Sequence, residues 1–114
     1  MRERLERVLE VLERIPTRFA SIHTPQDFTA SSIGLEHMDS ICMILIAVGE
    51  AFNQIDRKTG GEFLTRYPHI EWSGVIGVRN VLAHGYFDVD AAEIFGICKN
   101  DMPVLIDTVK KNDL

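Results

Sequence analysis

The sequence predicts an all-α fold: an antiparallel bundle of four or five helices that takes residues 1–114 as one domain. Three observations carry this. Apolar residues recur at helical spacing in four separate stretches, no stretch keeps the alternation of a β-strand, and the breaks hold proline, glycine or a capping residue. With 114 residues, 46% of them hydrophobic and 25% charged, the chain can bury one core but not two.

In the first stretch Leu5, Val8, Leu9, Leu12 and Ile15 share a stripe, charges fill the other face, and Pro16 ends the pattern. Glu3–Arg7 and Glu10–Arg14 are four apart in the favourable order. Residues 17–29 form a connection with a short helix inside it. There Thr24 reads as the N-cap, Pro25 as the first helical residue and Asp27 as an acid in the first turn. The longest pattern runs from about Ser32 to Lys58, with Leu35, Met38, Cys42, Leu45, Val48, Gly49, Phe52 and Ile55 on its stripe. Ile41, Ile44 and Ile46 widen that apolar surface, so this helix is expected at the centre, buried on more than one side.

Thr59-Gly60-Gly61 stops it, and "EFLTRYP" makes a short helical turn before Pro68. A third main helix follows from about Ile70 to His84, with Trp72, Val75, Ile76, Val78, Leu82 and Ala83 as its apolar residues. Gly74 and Gly77 inside it each cost up to about 1 kcal/mol of helix propensity, so a close backbone approach by another helix is expected there. Gly85 is placed as its C-cap. Asp90 and Glu93 read as a capping box for a last helix over about 91–111, which Pro103 should kink. Its stripe is Ile94, Ile97, Cys98, Met102, Leu105, Ile106 and Val109.

The net charge of −5 argues against non-specific coating of nucleic acid, which depends on phosphate neutralisation. A local basic site remains open, with Arg57, Lys58, Arg66 and Arg79 as its candidates. Cys42 and Cys98 sit among apolar neighbours without paired spacing, as reduced core residues of a cytoplasmic protein do. The charged, periodic N-terminus is unlike a signal peptide, and the run "ICMILIAVG" is about half a membrane span. A soluble protein with no membrane partner is expected.

The chemistry is concentrated in "GVRNVLAHGY", residues 77–86. Asn80 and His84 are four apart and share a helical face. Arg79 and His84 are five apart, so they differ by about 140° in direction and about 7.5 Å in height. They meet at one group only if the arginine reaches round, the helix ends near His84, or a second subunit supplies the opposing copy. One reading is structural: Arg79 as a surface ion-pair residue, His84 capping the helix C-terminus and Tyr86 in the core. The other is a polar site, in which an imidazole titrating near neutrality beside a permanent cation suits acid–base chemistry on phosphate.

"RNVLAHGY" resembles the signature of the HEPN superfamily, and within it of the HepT-like toxins: arginine, a polar residue, three mostly apolar residues, histidine, any residue, tyrosine. Arg79, Asn80, His84 and Tyr86 all match. "VGEAF" at 48–52, "YPHIEW" at 67–72, "YFDVD" at 86–90 and "KNDMPVL" at 99–105 are similar to further family segments, so the likeness covers nearly the whole chain, most thinly over 16–34. The resemblance implies a HEPN-like homodimer acting as a metal-independent endoribonuclease, paired with a minimal nucleotidyltransferase antitoxin. It implies that the two motif helices face each other across the twofold, with Arg79, Asn80 and His84 catalytic. It also implies that Tyr86 accepts AMP from the antitoxin, which silences the nuclease. No cofactor and no metal are implied. A non-catalytic subunit that presents substrate or nucleotide to a partner transferase is the alternative.

Glu50, an acid on the apolar central helix, is read either as a paired structural residue or as support for the cleft. His23, His37 and His69 are scattered without ligand spacing. Trp72 and Phe52 are read as core.

Overall fold

The computed structural model describes residues 2–85 and 89–111; the side chains of Arg2, Arg79, Asn80, Val81, Ala83 and His84 lie outside that description. Among the described residues the chain is helical with no strand. The segments are α1 (Arg2–Leu12), α2 (Arg14–Phe19), α3 (Gln26–Thr29), α4 (Ser32–Lys58), a 3-10 turn (Leu64–Arg66), α5 (Trp72–Gly85), α6 (Ala91–Gly96), a π turn (Ile97–Asp101) and α7 (Met102–Lys111).

The central helix has the limits the sequence predicts, and both ends show why. Ser31 is its N-cap, accepting from the Gly34 N–H at 3.0 Å. At the other end Gly60 and Gly61 take φ of 68° and 84°, a region that favours glycine, and the Gly61 N–H returns to the Asp56 carbonyl at 2.8 Å. Thr59 and Asp56 side chains then accept from the Phe63 and Leu64 N–H groups, which fixes the turn into the next segment.

α5, α1, α2, α3 and α6 all pack on α4, and α7 packs on α1. By length and composition α4 could cross a bilayer, yet ten of its 27 residues are buried against these neighbours. Phe28, Phe52, Leu5, Leu12, Ile41 and Leu105 are among the fully buried side chains. Leu35, expected on the buried stripe, is 45% exposed. It stands in the first turn of α4, where α3 approaches at Gly34, about 100° away round the helix.

Two helices depart from the single rods predicted. Pro16 does not end the first: the break falls at Glu13, and Pro16 lies inside α2. Proline lacks the N–H that would reach back to Leu12, and restarting the helix at Arg14 puts that missing donor in a first turn, where none is needed. Ile15 stays buried, and the expected Glu10–Arg14 pair is formed at 3.3 Å on an exposed face. The last helix is likewise divided. Pro103 cannot donate to the preceding turn, and the chain accommodates it with a π turn in which the Met102 N–H bonds to Ile97, five residues back. Asp90 supplies its half of the predicted box, capping α6 by accepting from the Ala92 N–H at 2.9 Å.

The short helix forms, but Thr24 is not its side-chain cap. Asp27 turns back instead, its Oδ2 accepting from the His23 N–H at 2.8 Å and the Thr24 N–H at 3.1 Å. Those two bonds, His23 first, hold the Asp27 carboxyl below its ordinary value of 3.8. A depressed carboxyl stabilises the fold above the unfolded pKa, and the effect is lost as pH falls through the folded one. Asp27→Ala should therefore lower Tm at neutral pH, and the gap from wild type should close below about pH 3.8. Thermal melts from pH 7 to pH 2 check this; a gap that persists unchanged in acid would refute it.

Candidate active site on the fifth helix

α5 owes its position to an aromatic cluster at its start. Phe52 of α4 lies 5.0 Å from the Trp72 ring and 6.2 Å from Phe63, and Phe63 lies 5.4 Å from Tyr67. The Trp72 indole N–H donates to the Tyr67 carbonyl at 3.0 Å, so the polar edge of a half-buried ring is satisfied. Phe52 thus belongs to the core, as predicted, and Trp72 packs against it half-buried. From there Val75, Val78 and Leu82 are buried. The helix begins two residues later than predicted and runs to Gly85.

The backbone of Arg79, Asn80 and His84 lies on this helix. At about 100° per residue, positions 80 and 84 fall roughly opposite the centre of the Val75–Val78–Leu82 stripe, while position 79 is about 70° from it. The angle of about 140° between 79 and 84 therefore stands in the folded backbone. The side chains of these three residues, and Tyr86 as a whole, lie outside the described residues.

The close helix approach expected at Gly74 and Gly77 is not made within the described chain. A Cβ on Gly74 would meet Glu71 Cγ at 3.7 Å, and one on Gly77 would meet nothing within 4 Å. Gly74 is exposed. The glycines leave a low surface on this part of α5 instead of filling a contact.

Glu50 is half-buried on α4. Its Oε1 accepts from Gln54 Nε2 at 3.3 Å, and Gln54 Oε1 accepts from the Arg4 guanidinium at 2.8 Å. A relay from α1 to α4 thus ends on this carboxylate. Sequence reasoning missed Arg4 and Gln54, because the first of them is remote along the chain and only folding brings it to α4.

Two of the other histidines do other things. The His23 backbone holds Asp27, and His69 Nε2 lies 2.9 Å from the Thr108 hydroxyl, which itself donates to the Val104 carbonyl. Among the described residues no three His, Cys, Asp or Glu side chains form a group that could hold a metal ion. Burial pushes the thiols of Cys42 and Cys98 up to about 11 and about 12, so they are inert core groups at neutral pH. A concavity of about 510 Å³ lies away from α5, between α2 and α7, with Ile15, Phe19, Met102 and Ile106 among its lining. Its walls are mainly apolar, with Lys99, Asp107 and Lys110 also lining it.

Known proteins bear on the same residues. A family model described as "Ribonuclease HepT-like" matches residues 2–112. Two proteins of Methanocaldococcus jannaschii are similar. One, named "Putative RNase MJ1380", is 32% identical over 54 residues, covering 47% of this chain and 50% of that protein. The other, named "Gamma-glutamylcyclotransferase and putative RNase MJ0434", is 28% identical over 107 residues, covering 94% of this chain and 45% of that one. The chain spans about half the length of these relatives. No solved structure matches. With a match that begins in α1 and runs through the motif on α5 to the end of α7, the chain belongs to the HepT-like ribonuclease family.

Proposed function

We propose that the protein is a metal-independent endoribonuclease, the toxin of a HEPN/MNT-type toxin–antitoxin pair, working as a homodimer. The observation that carries this reading is the ordered set Arg79, Asn80, His84 and Tyr86 in the sequence, the first three of them on α5, in a chain matched by the family almost throughout. The relatives whose names read "putative RNase" support it.

RNA brings its own nucleophile, the 2′-hydroxyl. His84 takes the proton from that hydroxyl as the oxygen attacks phosphorus, or gives one to the departing 5′-oxygen as the P–O5′ bond breaks. The products are a 2′,3′-cyclic phosphate and a 5′-hydroxyl. Arg79 orients the phosphodiester and offsets the negative charge that grows on its oxygens. Asn80 holds the phosphate or the imidazole. A twofold pair of α5 helices gives Arg79 and His84 a common target despite their separation on one helix.

Tyr86, next to Gly85, is the proposed acceptor of AMP from a minimal nucleotidyltransferase. The phenol oxygen would attack the α-phosphate of ATP, releasing pyrophosphate and leaving a charged, bulky adenylyl group beside the motif. The proposed setting is the cytoplasm, without membrane attachment.

RNA cleavage in EDTA tests the assignment. Purified protein should cut RNA, and His84→Ala and Arg79→Ala should each lose about 100-fold or more, in the range expected for removing an acid–base or charge-stabilising group. Cleavage undiminished in both variants would refute the site. Nucleotide binding without any RNA turnover would favour the alternative, a non-catalytic subunit of a transferase.

A further inference from the structure

The concavity of about 510 Å³ between α2 and α7 is a trough with two distinct ends. Lys99, Pro103, Ile106 and Lys110 form its floor, spaced by four, three and four residues along the π turn and α7. At about 1.5 Å per residue they span about 16 Å. Ile15, Pro16 and Phe19 of α2 form the facing wall. Contacts between the two walls close the ends and show that they run antiparallel. Glu13 pairs with Lys110 at 3.4 Å at one end, and at the other the Phe19 ring centre lies 5.3 Å from that of Phe95.

Charge is unevenly placed along this trough. Lys110 is matched by Glu13, and Asp107 by Lys111 at 3.1 Å. Lys99 is left over. Its ammonium stands 5.9 Å from the centre of the Phe95 ring, and among the described residues no carboxylate pairs with it. One end is therefore neutral, the other cationic, and the middle is apolar. Pro16 and Pro103 bring no N–H to the middle, and the side chains of Ile15 and Ile106 carry no polar atom.

We propose that the trough binds a linear monocarboxylate taken up from solution, its carboxylate on the Lys99 ammonium and its alkyl chain laid over Pro103 and Ile106 towards Lys110. The volume lies within the range of about 300–1,000 Å³ that small-molecule sites occupy. With C–C bonds of about 1.5 Å, a chain of about ten carbons fills the length. A single unmatched cation calls for a single anion, held by a charge-assisted hydrogen bond at the exposed rim. A nucleotide fits these walls poorly, because its base and sugar would lose water and gain no partners from alkyl groups. Pro103 has a part in building the site, since the π turn that accommodates it carries Lys99, and such turns recur at functional sites. The inference is independent of the nuclease reading, which concerns α5.

Calorimetric titration of the full chain with sodium decanoate tests it. Uptake should saturate at one decanoate per chain. Decanol, which has the chain without the charge, and inorganic phosphate, which has the charge without the chain, should each bind more weakly by about 10-fold or more. Lys99→Glu should weaken decanoate binding by a similar factor, Lys99→Arg should retain it, and Ile106→Trp should abolish it by filling the middle. If circular dichroism shows that Ile106→Trp does not fold, Lys99→Glu decides, being at an exposed position. Absence of saturable uptake would overturn the site, as would wild-type affinity in Lys99→Glu. Decanol binding as tightly as decanoate would overturn the ligand class. Binding to phosphatidylglycerol vesicles without binding of free decanoate would make this face a membrane contact and overturn the proposal too.

Discussion

Gly34→Ala should destabilise the protein by about 3 kcal/mol, the upper range for forcing an added group into a packed interior. A Cβ on Gly34 would run into the Asp27 carbonyl oxygen and stand 3.0 Å from the Phe28 carbonyl oxygen. These obstacles are backbone atoms and cannot swing away. Gly34 is further held by its N–H bond to Ser31, so the first turn of α4 cannot retreat without losing its cap. Phe28, fully buried beside it, would move with any shift of α3. The sign is the informative part, because alanine in an unobstructed helix gains up to about 1 kcal/mol over glycine. Gly96 supplies that control: it has helical φ and ψ of −62° and −40°, and nothing lies within 4 Å of an added Cβ. Gly96→Ala should raise Tm while Gly34→Ala lowers it by on the order of 10 °C. Equal melting temperatures for Gly34→Ala and wild type would refute the close approach of α3 to α4.

Phe52→Ala should cost about 3–5 kcal/mol, the usual range for emptying an aromatic site in a core. Phe52 is 0% exposed and touches both the Phe63 and Trp72 rings, so truncation removes the common partner of the cluster that starts α5. Against a total stability of about 5–15 kcal/mol for a domain, that is a large share. Urea unfolding should show a lower midpoint, and RNA cleavage should fall at temperatures where the wild type is still fully folded. Phe52→Leu should recover most of the stability, because it restores volume. A Phe52→Ala midpoint equal to that of wild type would contradict the packing.

What the sequence conveyed was local, and what it concealed was relational. Ser32–Lys58 is predictable because its periodicity is long and Thr59-Gly60-Gly61 is an unambiguous stop. The divided rods at Glu13 and at Ile97–Asp101 are less so. A proline announces that a helix must change, but not whether the chain breaks before it or absorbs it in a wider turn. Leu35 reads as core from spacing alone, and it is exposed because an apolar stripe says which residues could be buried, not whether a neighbour arrives. Gly74 and Gly77 predicted a contact that the described chain does not make, whereas Gly34, unremarkable in sequence, makes the tightest one. The motif itself was evident from four residues within eight positions, while the Arg4–Gln54–Glu50 relay spans 50 residues and exists only after folding.

Trp72 is the chain's single tryptophan, and it sits where the motif-bearing helix leaves the aromatic cluster. Its intrinsic fluorescence is thus an unlabelled optical gauge of whether that helix is docked. Emission colour will follow seating of the indole.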